Sequence, residues 1–454
     1  MAVLDFSEQD LVGNNFDGDD LNGSTFFKGT LTDVSFVGTF LRGTNFEETS
    51  WLNVNASNAN FRPNTNFPTT NLFKATLVNV NLSGANLREA NLSEISTNGI
   101  DLSNAKLQDA NLFKAELSGE QENRPNLRGA NFSRANLTET NLKAADLTDA
   151  IFTDANLQGA SFEANIIVNT DFTGVDFTGV SFTDNTLNNS IFDKANLSGV
   201  QWTDTLPVEG QTSTNSSFRG ADLTNFSAED VNLGGADFRD FDTNTKTILD
   251  GISLADSVLN GANFTDVSAE GIFLENADLT DAIFNGADLS NANLNNAILT
   301  GASFTGGVEL DNAFLEGVDL GGVDLTGADL TGANLKGANL AGADLTGVNL
   351  SGTDLTEVNL TGAQLDDANL QDAILEKANL TNAILSDGED PDTIGADLSG
   401  ISFVDGIAVN GDFMNALLID ANLSKADFTG ANLNGADLTG ANLTDTILPG
   451  NAII

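Results

Sequence analysis

Apolar residues recur along this chain every five positions, a spacing that fits neither the 3.6-residue turn of a helix nor the two-residue alternation of an ordinary half-buried strand. The tract from Leu320 to Leu360 shows the pattern without interruption, with leucine at each fifth residue: Leu320, Leu325, Leu330, Leu335 and onward. Two residues ahead of each leucine stands a small or slim residue, as in Val323, Ala328, Ala333 and Ala338, and between them lies Asp or Asn, as in Asp324, Asp329 and Asn334. Residues two apart on a strand face the same side, so the small residue and the leucine point inward together and the Asp or Asn points outward. The following pair, Thr326-Gly327 or Thr331-Gly332, is rich in turn-formers that bend the chain into the next short strand. Each repeat is therefore one side and one corner of a coil, and the expected class is an all-β solenoid.

The phenylalanines set the number of sides. In the first tract the centre positions read Phe6, Leu11, Phe16, Leu21, Phe26, Leu31, Phe36, Leu41 and Phe46. A three-sided coil would stack Phe6 on Leu21 and mix sizes in every column. A four-sided coil of about 20 residues stacks Phe6, Phe26 and Phe46 together, with Phe16 and Phe36 opposite. The same spacing returns at Phe132, Phe152, Phe172 and Phe192, and at Phe264, Phe284 and Phe304. Free exchange of Phe for Leu would not reproduce it three times, so a quadrilateral β-solenoid is expected.

Slips in the five-residue register mark interruptions near 62–66, 119–126, 205–217, 240–248, 306–309 and 386–397. The expectation is one continuous solenoid over 1–454, with loops or bulges at those points. Loops on a rigid scaffold are where binding function often sits, although solenoids also tolerate extruded segments at low cost.

Charge and composition narrow the function. The 454 residues include 65 acidic and 18 basic side chains, a formal net charge of -47, which argues against direct nucleic-acid binding through a basic patch and favours a basic protein surface as partner. Cys and His are absent and so is Tyr, which excludes disulfides, thiolate chemistry and Cys-ligated metal centres. The chain enters the repeat at Asp5-Phe6 without the basic and apolar regions of a secretory signal, and no apolar run approaches a membrane span. A soluble protein without membrane insertion is expected, cytoplasmic by default or exported by a route that reads no N-terminal signal.

The repeat Ala328-Asp329-Leu330-Thr331-Gly332 resembles that of the pentapeptide-repeat family, and the resemblance runs over nearly the whole chain. It implies a right-handed quadrilateral β-helix, in agreement with the phenylalanine columns. Its best understood members resemble a DNA duplex in shape and charge and bind type II topoisomerases, protecting or inhibiting gyrase. The present chain is longer than such a role needs and ends in repeat, Leu443 to Pro449, rather than in a helical dimerisation module.

Candidate chemistry is sparse. About 21 coils spaced by roughly 4.8 Å would form a rod near 100 Å long, with one net charge about every 2 Å against roughly 1.7 Å for duplex DNA. The outward columns nevertheless mix acid and amide, Asp319 above Asn339 and Asn359, Asp329 above Asn349 and Asn369, which lowers repulsion between rungs and allows amide ladders. The loop Ser386 to Asp392 gathers four carboxylates of the kind calcium takes, without EF-hand spacing. The pair Asp366-Asp367 has the residue type of a glycosidase site but no cleft signature, and the column Thr326, Thr346, Asp366, Ser386 is a broken threonine array. No catalytic, cofactor-binding or metal residues are assigned, and no cofactor is expected. The repeat starts within a few residues of one end and runs to the other, so Phe6, Leu11, Leu448 and Ile453 are candidate end-to-end contacts. Two readings follow: a non-catalytic, rod-shaped structural or interaction scaffold that self-assembles into end-to-end oligomers or filaments, and a DNA-mimicking protein that binds a type II topoisomerase.

Overall fold

In the computed structural model, which describes residues 3–203, 214–386 and 395–450, the residue ahead of each buried centre forms a parallel β-bridge with its counterpart one coil on. Asp319 pairs with Asn339 and Asn339 with Asn359; Asp329 pairs with Asn349 and Asn349 with Asn369. The 20-residue interval between these partners is the perimeter of the coil, and five residues per side give it four sides.

Within one repeat the physics is local. Ala328 and Leu330 are both buried, and the amide of Ala333 donates to the carbonyl of Leu330 at 3.0 Å, closing a four-residue turn. The third residue of that turn, Gly332, has φ +68°, the conformation that a type II turn demands there. Glycine meets this demand without a Cβ penalty, and Asn and Asp tolerate it. Between coils, the Leu330 amide donates to the Asn349 carbonyl at 2.8 Å and the Asn349 amide to the Ala328 carbonyl at 3.0 Å, so the main chain is satisfied by its neighbours above and below.

The phenylalanine columns are stacked as expected. Ring centroids of Phe6, Phe26 and Phe46 are 4.8 Å apart at each step, and Phe16 and Phe36 are 5.3 Å apart. Phe264, Phe284 and Phe304 stack at 5.0 and 5.1 Å. Where the small inward position is a hydroxyl residue, its oxygen donates down the column: Thr140 reaches the Leu112 carbonyl and Thr353 the Leu330 carbonyl, each at 2.9 Å.

The chain divides into two compact units, residues 1–227 with 241–245, and 228–240 with 246–454. The first holds the longer strands: Asp10–Val12 (β1), Thr30–Thr32 (β2), Ser50–Leu52 (β3), Thr76–Val78 (β4) and Ser96–Asn98 (β5) stack in parallel order β1-β2-β3-β4-β5. Ser161–Glu163 (β6), Ile166–Val168 (β7), Ser181–Thr183 (β8), Thr186–Asn188 (β9) and Trp202–Thr203 (β10) form β10-β8-β6 and β7-β9. In the second unit the described residues are joined by single bridges alone. Register slips appear as longer pairing intervals. Asn60 pairs with Asn86 around 62–66, Lys106 with Asn131 around a short 3-10 turn at Gln121–Asn123, and Asp288 with Glu309 around Gly306-Gly307. Ile191 pairs with Ser217, Asp237 with Asn263, and Asn369 with Asp397.

Candidate interaction surfaces

The outward Asp and Asn have two tasks, of which the first was not read from the repeat. Their side-chain oxygen accepts the amide two residues on, as in Thr331 N–H to Asp329 Oδ1 at 3.0 Å and Ala341 N–H to Asn339 Oδ1 at 3.2 Å, pinning the start of each turn. They also bond along the column. Asn339 Nδ2 donates to Asp319 Oδ1 at 2.8 Å and Asn359 Nδ2 to Asn339 Oδ1 at 2.9 Å, and Asn369 Nδ2 donates to Asn349 Oδ1 at 3.1 Å. The expected amide ladders are present in the two columns that suggested them.

The resolved electrostatic displacements of carboxylates all run one way. Each described carboxylate with a resolved displacement lies below its ordinary range. The Thr429 hydroxyl and amide hold Asp427 down, the Thr439 hydroxyl and amide hold Asp437 down, and the Arg134 guanidinium does the same for Asp109. A general acid at neutral pH needs the opposite displacement. Asp366 and Asp367 lie on a turn, Asp367 exposed with φ +58°, and among the described residues no cluster of carboxylates is arranged to hold a metal ion. Of the acidic segment Ser386 to Asp392, residues from Asp387 onward lie outside the described residues.

Charge is unequally shared. The first unit has net -16 (13 basic against 29 acidic side chains) and the second net -31 (5 against 36). Concave ground occurs beside the insertions: a cavity of about 500 Å³ next to Gly119 and Glu120, and one of about 440 Å³ between Arg42, Arg62 and Asn86.

The predicted end contacts separate in the structure. Phe6 and Leu11, in the first described coil, are half-buried, whereas Phe26 and Leu31 one coil on are fully buried. Leu448 is likewise half-buried, as are the centres Leu433, Leu438 and Leu443 before it, against full burial of Leu418 and Leu423. Ile453 lies outside the described residues. Sequence reasoning missed the ion pairs that line the corners, such as Lys28 Nζ to Glu48 at 3.4 Å and Lys377 Nζ to Glu357 at 2.9 Å. Their signal is a charge pattern visible only when the chain is written one coil per row with the insertions removed.

A four-sided parallel coil with five residues per side defines a class of repeat protein. The model of the family described as pentapeptide repeats matches residues 63–119, 126–163, 167–200, 274–387 and 411–450, well over half of the chain. The chain belongs to the pentapeptide-repeat family. Among solved structures it is similar to HetL, a pentapeptide repeat protein involved in heterocyst differentiation regulation from the cyanobacterium Nostoc sp. strain PCC 7120, at 32% identity over 54% of this chain and 94% of that one, with a TM-score of 0.24. It is similar to Rfr23 from the cyanobacterium Cyanothece 51142 at 26% identity, covering 31% and 90% of the two chains with a TM-score of 0.18. A plasmid-mediated fluoroquinolone resistance protein, QnrB1, matches at 19% identity over 49% and 89%, with a TM-score of 0.18. No curated protein matches the chain. Among the described residues, no helix is long and apolar enough to cross a membrane.

Proposed function

We propose that this chain is a non-catalytic scaffold that lengthens by stacking the first coil of one copy on the last coil of another. The observation that supports this reading is the half-burial of Phe6 and Leu11 at one terminal coil and of Leu433, Leu438, Leu443 and Leu448 at the other, whereas Phe26, Leu31, Leu418 and Leu423 further in are fully buried. Both terminal coils have the four-sided outline and the parallel hydrogen-bonding edge that interior coils use against each other. A second copy therefore offers the apolar centres a matching partner, with burial worth about 1.5–3 kcal/mol for each large side chain covered. Multi-angle light scattering of the purified 454-residue chain across a concentration series tests this. Mass should rise with concentration past that of two chains, and Leu448→Asp should stop that growth. A single-chain mass at every concentration would overturn the reading.

The net -31 of the second unit favours a second reading, a surface for a basic partner, of which a type II topoisomerase is the case the family suggests. A gyrase supercoiling assay separates the two. Inhibition or protection at micromolar protein supports mimicry, and no effect leaves the scaffold in front.

A further inference from the structure

One corner of the first unit carries a charge pattern that backbone chemistry does not call for. The third turn residue after the centres Phe6, Phe26, Phe46, Leu72, Leu92, Leu112 and Leu137 is, in order, Glu8, Lys28, Glu48, Lys74, Glu94, Lys114 and Glu139. The sign alternates without a break through seven consecutive coils. Consecutive members are stacked neighbours: the Glu48 amide donates to the Phe73 carbonyl at 2.9 Å, the Glu94 amide to the Phe113 carbonyl at 2.9 Å, and the Lys114 amide to the Thr138 carbonyl at 3.0 Å. All seven have φ between 55° and 58°, the left-handed region. In the first five of these coils the next corner uses Gly13, Asp33, Asn53, Asn79 and Gly99 there, the residues that accept this conformation most readily. Long charged side chains are thus held seven times running at a position that disfavours them.

Internal ion pairing is a weak reason for that. Lys28–Glu48, Lys74–Glu94 and Lys114–Glu139 pair at 3.4, 3.6 and 3.3 Å, but their side chains remain 38–54% exposed, where such pairs contribute little. The rungs alternate in bulk as well. Each lysine lies over the ring of the preceding phenylalanine, Phe27, Phe73 or Phe113, at about 5 Å, and each intervening rung has Glu47, Ser93 or Thr138 in that place. The insertions of this stretch leave the chain elsewhere, after Phe61 and after Leu117, so the corner itself is clear.

We propose that this corner is a pairing edge along which a second copy of the chain lies antiparallel about a two-fold axis. Lys28, Lys74 and Lys114 of one copy then face Glu139, Glu94 and Glu48 of the other, and each phenylalanine rung meets a less bulky one. Spacing selects this occupant. The rungs repeat at about 4.8 Å, and a helical partner with a pitch of about 5.4 Å would drift out of step by roughly 3 Å over five steps. Another copy has the same repeat and stays in register. The seven side chains sum to a single negative charge, so this edge is nearly neutral within a strongly acidic chain, and salt at about 0.15 M limits repulsion from more distant charges to roughly 8 Å. The contact is isologous and closes.

The test is a charge swap in the full chain, carried out in the Leu448→Asp background so that loss of end-to-end stacking is not read. Sedimentation at about 0.15 M salt should give a dimer for the background chain. A variant with Lys28→Glu, Lys74→Glu and Lys114→Glu should be monomeric, and so should one with Glu48→Lys, Glu94→Lys and Glu139→Lys. Mixing the two should restore a heterodimer, with affinity at least about tenfold above either alone. A purely internal ladder predicts no effect of mixing. If either triple variant loses its circular dichroism spectrum, Lys74→Glu and Glu94→Lys are mixed instead. A background chain that stays monomeric to about 100 µM, or folded variants that fail to form the heterodimer, would overturn the proposal.

Discussion

At the scale of a residue, the chain solves one problem repeatedly: how to turn a corner every five residues without leaving main-chain groups unpaired. Asp or Asn ahead of the centre caps the turn through its side-chain oxygen, and the third turn residue takes up positive φ. These demands explain why the repeat is readable at all, since few residue types serve both. The column bonds add a further constraint. Asn339 donates to Asp319 and accepts from Asn359, so Asn339→Asp exchanges a donor for a second carboxylate one rung from the first. The variant should lose about 1 kcal/mol or more of stability, with the loss larger at low than at high ionic strength. Denaturant titration at two salt concentrations measures it, and a salt-independent loss would mean that the amide bond alone matters. Thr353→Val removes the hydroxyl bonded to the Leu330 carbonyl, which keeps the Ala333 amide, so its cost should fall near 0.5–1 kcal/mol.

At the scale of the element, the coil is the unit of stability, and its interior was largely legible. Phe264, Phe284 and Phe304 were legible as one column in the sequence because they recur at 20-residue intervals, and the structure stacks them at 5.0 and 5.1 Å. Phe284→Ala should therefore cost about 3–5 kcal/mol, while Phe284→Leu, closer in volume, should cost under about 1.5 kcal/mol. Equal losses would contradict column packing. Less was legible at the corners. A turn position restricts φ, not charge, and the insertions after Phe61 and Leu117 place Lys28, Lys74, Lys114 and Glu139 at unequal intervals along the chain. The ladder they form becomes visible only once the bridges have fixed which residues share a corner. The ends behaved differently again. Phe6, Leu11 and Leu448 were marked by position in the repeat, and their half-burial could be learned only from the coil beside them.

At the scale of the whole molecule, charge dominates what conditions the protein tolerates. Relief of repulsion in a chain of net -47 would favour mild acid, whereas carboxylates held below their ordinary range favour neutral pH. The resolved displacements decide the sign. Asp427, Asp437 and Asp324 are lowered by threonine hydroxyls and amides, so their contribution is present above the unfolded value near 3.9 and is lost as pH falls through the folded values. Melting temperature should hold between about pH 7 and 5 and fall below about pH 4. A rise in stability on acidification would show that repulsion outweighs the turn bonds.

The claim that matters most for function is that a terminal coil finds its partner in another copy. Cryo-electron microscopy of the purified chain tests it at the junction itself. The account predicts particles longer than one chain in which the rung spacing of about 4.8 Å continues unbroken from the coil of Leu448 into the coil of Phe6 of the next copy. Particles of a single chain at every concentration, or multimers joined without continuous rungs, would contradict it.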